Sequence, residues 1–385
     1  MATATEPVRP NIASANIPLP GVRDYEQVDR EISATLSPTL GWFILLGVAI
    51  LLFLWGAGTW TYQIYWGLGN AGYQPPVMWG VYIITFVFWI GIGHAGTLIS
   101  AILYLFRAGF RTTIYRCAEA MTVFAVMTAG LFPIIHIGRP WKFFWLVPYP
   151  NWRLIWPNFK SPLVWDVFAI STYLTVSATF LYLGLVPDLA VLRDRATNPT
   201  RKKILAVLSL GWRNSEPEWR HFARMYLFLA AFSTPLVLSV HSVVSFDFAM
   251  ALVPGWHTTV FPPYFVAGAI FSGVALVINL LIPIRKIYGL EHIVTVDHLE
   301  KLSKLVLLTS TIVTYSYLCE FFIAWYRPSS HERDLFWWRA TGHFWWAFWI
   351  MFTCNAILPL SLWFKGVRRN LTLLFVLCLF VNIGM

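Results

Sequence analysis

Apolar stretches recur along the whole chain, separated by short polar or proline-rich connections. Crossing about 30 Å of hydrocarbon takes roughly 20 helical residues. Eight stretches meet that length: 39–65, 77–106, 112–136, 163–187, 222–251, 263–284, 303–326 and 342–364. A ninth begins near Leu371 and is still apolar at Met385, so nine spans are predicted and a tenth is expected beyond the given sequence. The pattern predicts an all-α, polytopic membrane protein. Its expected parts are a tail over 1–38, a lone helix over 39–65, and four-helix units over 77–251 and 263–385.

Charge sets the orientation. Of the 28 Lys and Arg residues, 21 fall on the side of the N-terminus and 7 on the other. Basic loops mark the cytoplasmic side, so the N-terminus is expected in the cytoplasm of a bacterium and the chain in its inner membrane. The net charge of +10 then reflects basic loops rather than a nucleic-acid partner. Only 12% of residues are charged, against about a quarter in soluble domains. The tail carries Asp24, Glu26, Asp29 and Glu31 and has no leader-like apolar core, so it is expected to lie along the cytoplasmic surface. Cys117, Cys319, Cys354 and Cys378 sit singly in apolar segments. That spacing argues against metal or iron–sulfur ligation and makes them small core residues.

Two further patterns stand out. Pro75-Pro76 precedes the second span and Pro262-Pro263 opens the sixth, and both spans run to a basic end. Four helices separate them, which predicts parallel copies, spans two to five and six to nine. The outward loop after the third span carries Trp141, Phe143, Phe144, Trp145, Tyr149, Trp152 and Trp156, broken by Pro148, Pro150 and Pro157. Such residues suit the headgroup region; they form either an aromatic belt alone or a platform for an extrinsic subunit. Trp337, Trp338, Trp345, Trp346 and Trp349 make a similar belt at the start of the eighth span.

Ionisable side chains inside hydrocarbon are costly and mark function or a specific pairing. Seven qualify: His94, Glu119, His136, Asp166, His241, Asp247 and Glu320. His136 ends the third span outside a Pro133 kink, with Arg139 just beyond. Asp166 follows a Ser161-Pro162 helix start but lies past the first turn, deeper than a helix-dipole role prefers. His241 shares a polar stripe with Ser239, Ser242 and Ser245, while Asp247 points away from it. His94 lies among glycines that permit close helix contact. His94 and His241 are each either a hydrogen-bonded core residue or a proton carrier. His136 is either an interfacial residue beside a snorkelling Arg139 or a proton acceptor, with Arg139 then holding an anionic partner or tuning its pKa. Glu119 is either paired with Arg116 or the inner mouth of a proton path, and Glu320, with no evident partner in the sequence, is read as a proton-relay group of the second half. Neutral His and ionised Asp are proton acceptors suited to oxidising a quinol, whose ring loses two protons with two electrons. With no redox centre expected in the chain, electrons would leave through a partner. A b-type cytochrome using His136 and His241, and a secondary transporter, are the alternatives.

The segments GHAGTLISAIL, FPIIHIGRPWKFFW, SPLVWD and SVHSVVSFDFAM resemble the NrfD-like family of quinone-reactive membrane subunits, which includes the polysulfide reductase membrane subunit. The likeness covers nearly all of the chain from about residue 38 and is greatest to the branch holding ActC, the quinol-oxidising membrane subunit of bacterial alternative complex III. The resemblance implies a menaquinol:acceptor oxidoreductase subunit with two four-helix bundles. Its partners would be c-type haem subunits, a periplasmic iron–sulfur ferredoxin-like subunit, a second NrfD-like membrane subunit and lipids. It also implies that His136 and Asp166 hold the quinol, with His94, Asp247 and His241 at the site or on a proton path.

Overall fold

The computed structural model describes residues 25–73, 80–147, 154–156, 158–251, 253, 255–327 and 329–385. The tail as far as Asp24, the Pro75-Pro76 pair, Pro148, Tyr149, Pro150, Trp152 and Pro157 lie outside the described residues, as do the side chains of Glu26 and Asp29.

Helix α1 (Tyr25–Ala34) is held at the end of the bundle that the charge pattern leads one to expect inside, named inner below and the opposite end outer. There Arg195 Nη1 donates to Ser33 Oγ at 3.3 Å and His292 Nε2 meets Glu31 Oε2 at 2.5 Å. Helix α2 (Leu40–Trp66) stands largely apart. Its most apolar window has no buried residue, and Gln63 near its outer end is its one buried side chain. Helix α3 (Val81–Leu105) loosens into a π-turn over Leu98–Ile102 just past His94. Helices α4 (Tyr115–His136), α5 (Pro162–Arg195), α6 (Pro199–Leu208) and α7 (Glu216–Ala249) follow. After them come α8 (Phe261–Ile287), α9 (Val296–Tyr326), α10 (Ser330–Thr341), α11 (Trp345–Trp363) and α12 (Leu371–Gly384). Among the described residues, eight of these are long and apolar enough to cross a membrane. The chain is a multi-pass membrane protein.

Helices α5 and α7 run 34 residues each, well past the predicted bounds at 187 and 222. The hydropathy pattern stops at the first charges, but Arg193 and Arg195 continue a helix as readily as leucine does. Ser161 stands at the N-cap of α5 with Pro162 next, yet its hydroxyl makes no capping bond. Trp337 and Trp338 belong to the separate helix α10, so the second aromatic belt is split across a turn. All four cysteines are free; Cys354 and Cys378 are buried and the other two half-buried.

Helix α3 packs on α4, α4 on α5, α5 on α7, and α7 returns to the π-turn of α3. Helix α8 lies against α3 and α7 and also carries α9 and α12. Missing side chains make the central contacts possible. A Cβ on Gly96 would overlap the Ala118 carbonyl and the Thr122 hydroxyl of α4, and one on Gly273 of α8 would strike Ala95 and the Ile92 carbonyl of α3. Overpacking of this kind costs about 1–3 kcal/mol. Gly96→Ala is therefore expected to lower the thermal unfolding midpoint in detergent; an unchanged midpoint would show that α3 and α4 can move apart freely.

Candidate functional site

At the outer end, α5 and α7 bring two acids together. Asp166, one turn into α5, and Asp247, near the end of α7, face each other closely enough for one carboxyl to hydrogen-bond the other. Both residues are buried, at 6% exposure each. Asp166 Oδ1 and both Asp247 oxygens have no other partner among the described residues, and no Arg or Lys among those residues pairs with them. Where α7 ends, a cavity of about 340 Å³ is lined by Phe246, Met250, His257, Thr258 and Arg327. There Glu332 accepts from Arg327 Nη1 at 2.9 Å and lies 3.3 Å from His257 Nε2.

His136 ends α4 at the same surface. Its ring lies edge-on to Tyr73, with centroids 5.6 Å apart, and its Nδ1 is buried without a hydrogen bond. Tyr73 also stands edge-on to Tyr82, whose hydroxyl donates to Gln63 Oε1 on α2. Gln63 Nε2 in turn donates to the Ile135 carbonyl at 3.3 Å. The Tyr73 hydroxyl and Trp60 Nε1 are likewise buried and unpartnered. His136 and Asp166, expected to act as a pair, do not bond to each other: His136 turns to Tyr73 and Asp166 to Asp247. Arg139 is exposed and begins the short 3-10 segment Pro140–Leu146.

At mid-depth His94 is fully buried between α3 and α7. Its Nδ1 lies 2.7 Å from the Ile90 carbonyl and its Nε2 2.9 Å from the Val237 carbonyl. A neutral imidazole donates from only one nitrogen, so satisfying both carbonyls takes the doubly protonated ring. The His94 ring lies tilted against His241, with centroids 4.6 Å apart, and against Tyr173 at 5.0 Å; the Tyr173 hydroxyl bonds Thr97 at 3.0 Å. His241 Nδ1 is unpartnered, and His241 lines a cavity of about 200 Å³ with Gly91, Tyr264, Phe265, Ser272 and Met385.

Near the inner surface, Glu119 accepts from Tyr226 at 2.9 Å and from Arg116 at 3.4 Å, and Arg116 also reaches Asp188 at 3.1 Å. Arg111 is buried over the rings of Tyr104, Tyr115 and Tyr226, 4.4, 5.0 and 5.6 Å from their centroids. The Arg116 pairing anticipated for Glu119 is present, and the tyrosine is an addition. Glu320, expected to be alone, is not: Arg339 of α10 donates to it at 3.2 Å. Helix α10 folds back over the outer end of α9, a return that hydropathy does not reveal. Arg339→Ala is expected to lower stability, and adding Glu320→Gln to restore most of it; equal stability of the single variant would show the pair to be idle.

Among the described residues, no group of three or more His, Cys, Asp or Glu is arranged to hold a metal ion. Residues 69–385 match the family model described as Polysulphide reductase, NrfD. The chain belongs to the NrfD family. The NrfD match takes in every helix from α3 onward and so contains all the acids and histidines of this site. This NrfD chain is 30% identical over 240 residues to a putative dimethyl sulfoxide reductase membrane subunit of Halobacterium salinarum, covering 62% of the chain and 50% of that relative. It is 25% identical over 279 residues to a selenate reductase subunit of Mesobacillus selenatarsenatis, covering 71% and 63%. It thus spans between half and just under two thirds of those relatives' lengths.

Proposed function

We propose that this chain is the quinol-oxidising membrane subunit of an electron-transfer complex, with its quinol site at the outer ends of α4, α5 and α7. The observation that supports this most is the buried Asp166–Asp247 pair, which has no paired cation among the described residues. Two acids in one buried place cannot both be charged, so the pair holds and releases a proton as a unit. A half-buried histidine with an unpartnered ring nitrogen lies at the same surface and supplies a second acceptor. Oxidising a quinol to a quinone releases two protons and two electrons. His136 and the Asp166–Asp247 pair take the protons and pass them outward; Arg139 holds an anionic partner at the surface. The relatives are named as subunits of reductases, which supports a partner that carries the electrons onward.

In the finer form of the proposal the substrate is menaquinol and the first electron acceptor is an iron–sulfur protein on the periplasmic side. Proteins carrying c-type haem, together with a second NrfD-like chain, make up the rest of an alternative complex III. Helices α3, α4, α5 and α7, and separately α8, α9, α11 and α12, are read as the two parallel copies. Purification of the complex under mild conditions tests the assignment. Iron–sulfur and haem subunits should accompany the chain and become reduced by added quinol. A chain that purifies alone, or a complex blind to quinol, would remove it.

The His94–His241 contact and the Glu119–Tyr226 bond lie between the inner surface and this site. They form the interior part of a proton path in this proposal. His94→Phe should lower the protons moved per electron in sealed vesicles, and an unaltered ratio would exclude His94 from any path.

A further inference from the structure

Helix α2 was expected to be a peripheral span, yet its outer end is built into the site. Gln63 is 5% exposed, although it sits on a helix whose remaining surface faces outward almost throughout. Both ends of its amide are used, accepting from Tyr82 of α3 and donating to the Ile135 carbonyl beside His136. This fixes the height and rotation of α2 against α3 and α4. Trp60 lies three residues earlier, on the same face of α2 and one turn further inward. Its indole nitrogen is buried and has nothing to donate to, and the Tyr73 hydroxyl and His136 Nδ1 are in the same condition. An indole N–H can only donate. Buried polar atoms of this kind are ordinarily satisfied. Tyr73 and His136 stand edge-on to each other, Trp60 lies one turn inward of the Gln63 that bonds the carbonyl beside His136, and the three open atoms call for a ligand that brings an oxygen.

We infer that α2 supplies a second polar wall of the quinol site, in which Trp60, Tyr73 and His136 hydrogen-bond an oxygen of the quinol ring while Gln63 positions Trp60. This rests on the proposed function and deepens it. The ligand is a benzoquinone- or naphthoquinone-type ring with an acceptor oxygen, and its apolar tail runs inward along the exposed face of α2. Gln63 is a positioning residue and touches no substrate.

The test is steady-state and binding measurement on the intact complex with a short-chain quinol analogue. Trp60→Phe keeps the ring and removes only the N–H. It should raise KM by about tenfold, the scale of one lost hydrogen bond, with kcat falling less. Tyr73→Phe should shift KM in the same direction, and Gln63→Leu should weaken analogue binding as Trp60→Phe does. Wild-type KM and binding in both Trp60→Phe and Tyr73→Phe would overturn the inference. The proposed function is tested separately on the wild-type complex: if added quinol does not reduce its co-purifying redox subunits, the function fails whatever α2 does. If the wild-type complex oxidises quinol and the α2 variants are normal, only the second wall fails.

Discussion

Asp247→Asn is expected to lower the rate of quinol oxidation by about 100-fold or more, the scale set by losing a positioned proton acceptor. An amide fits the space of the carboxyl and can still hydrogen-bond Asp166, so the packing of α5 on α7 should survive. What it cannot do is take up and release a proton. Asp166→Asn should act similarly, because the two acids share one function across the α5–α7 contact. The double variant should be little worse than either single one, since groups that act as a unit are strongly non-additive. Losses that multiply would show two independent acids. A near-normal rate in Asp247→Asn would show the pair to be structural.

Arg111→Met is expected to cost about 2–4 kcal/mol of stability, the largest such effect of any single change considered. The guanidinium is buried over three tyrosine rings and donates to the Ser100 carbonyl and the Tyr226 hydroxyl, each at 3.4 Å. Tyr226 is in turn the hydrogen-bond donor to Glu119. Methionine fills part of the space but leaves the Ser100 carbonyl without this donor and loses the cation–ring attraction. Unfolding of the purified complex, followed by circular dichroism against heat or denaturant, would show the shift. A midpoint equal to the wild type would mean that the tyrosines hold the inner ends of α3, α4 and α7 together without the cation.

Much of this architecture is legible in the letters because the membrane imposes it. A span must be long and apolar, so the cores of the eight spanning helices follow from hydropathy alone. Charged residues in hydrocarbon are rare enough to be noticed, and this singles out His94, His136, Asp166, His241 and Asp247. The same filter passes over neutral polar residues. Gln63, Tyr173 and Tyr226 look like ordinary members of apolar helices, Tyr73 like one more aromatic of a connecting loop, and Trp60 like one of 21 tryptophans. Arg111 counts as a loop charge until the short helix Gly109–Thr113 turns it inward. Gln63 alone carried a signal, as the one amide within the first span.

Pairing is the other blind spot. Asp166 and Asp247 lie on helices separated by α6, and only the packing of α7 against α5 makes them neighbours. The expectation that Asp247 points away from the His241 stripe fits a helix that turns His241 toward His94 and Asp247 toward Asp166. His136, one helix earlier, looked the natural partner of Asp166. It instead faces Tyr73, because the chain leaving α2 folds over the end of α4. The ion pair of Glu320 with Arg339 has the same origin in a helix that doubles back.

Photoaffinity labelling of the intact complex with an azido-naphthoquinone, mapped by mass spectrometry, reaches the central assignment most directly. Label should fall on peptides holding His136, Asp166 or Asp247 at the outer ends of α4, α5 and α7, and excess unlabelled quinone should suppress it. Label confined to the inner ends of the helices, or spread over the lipid-facing surface and indifferent to competitor, would contradict a quinol site there.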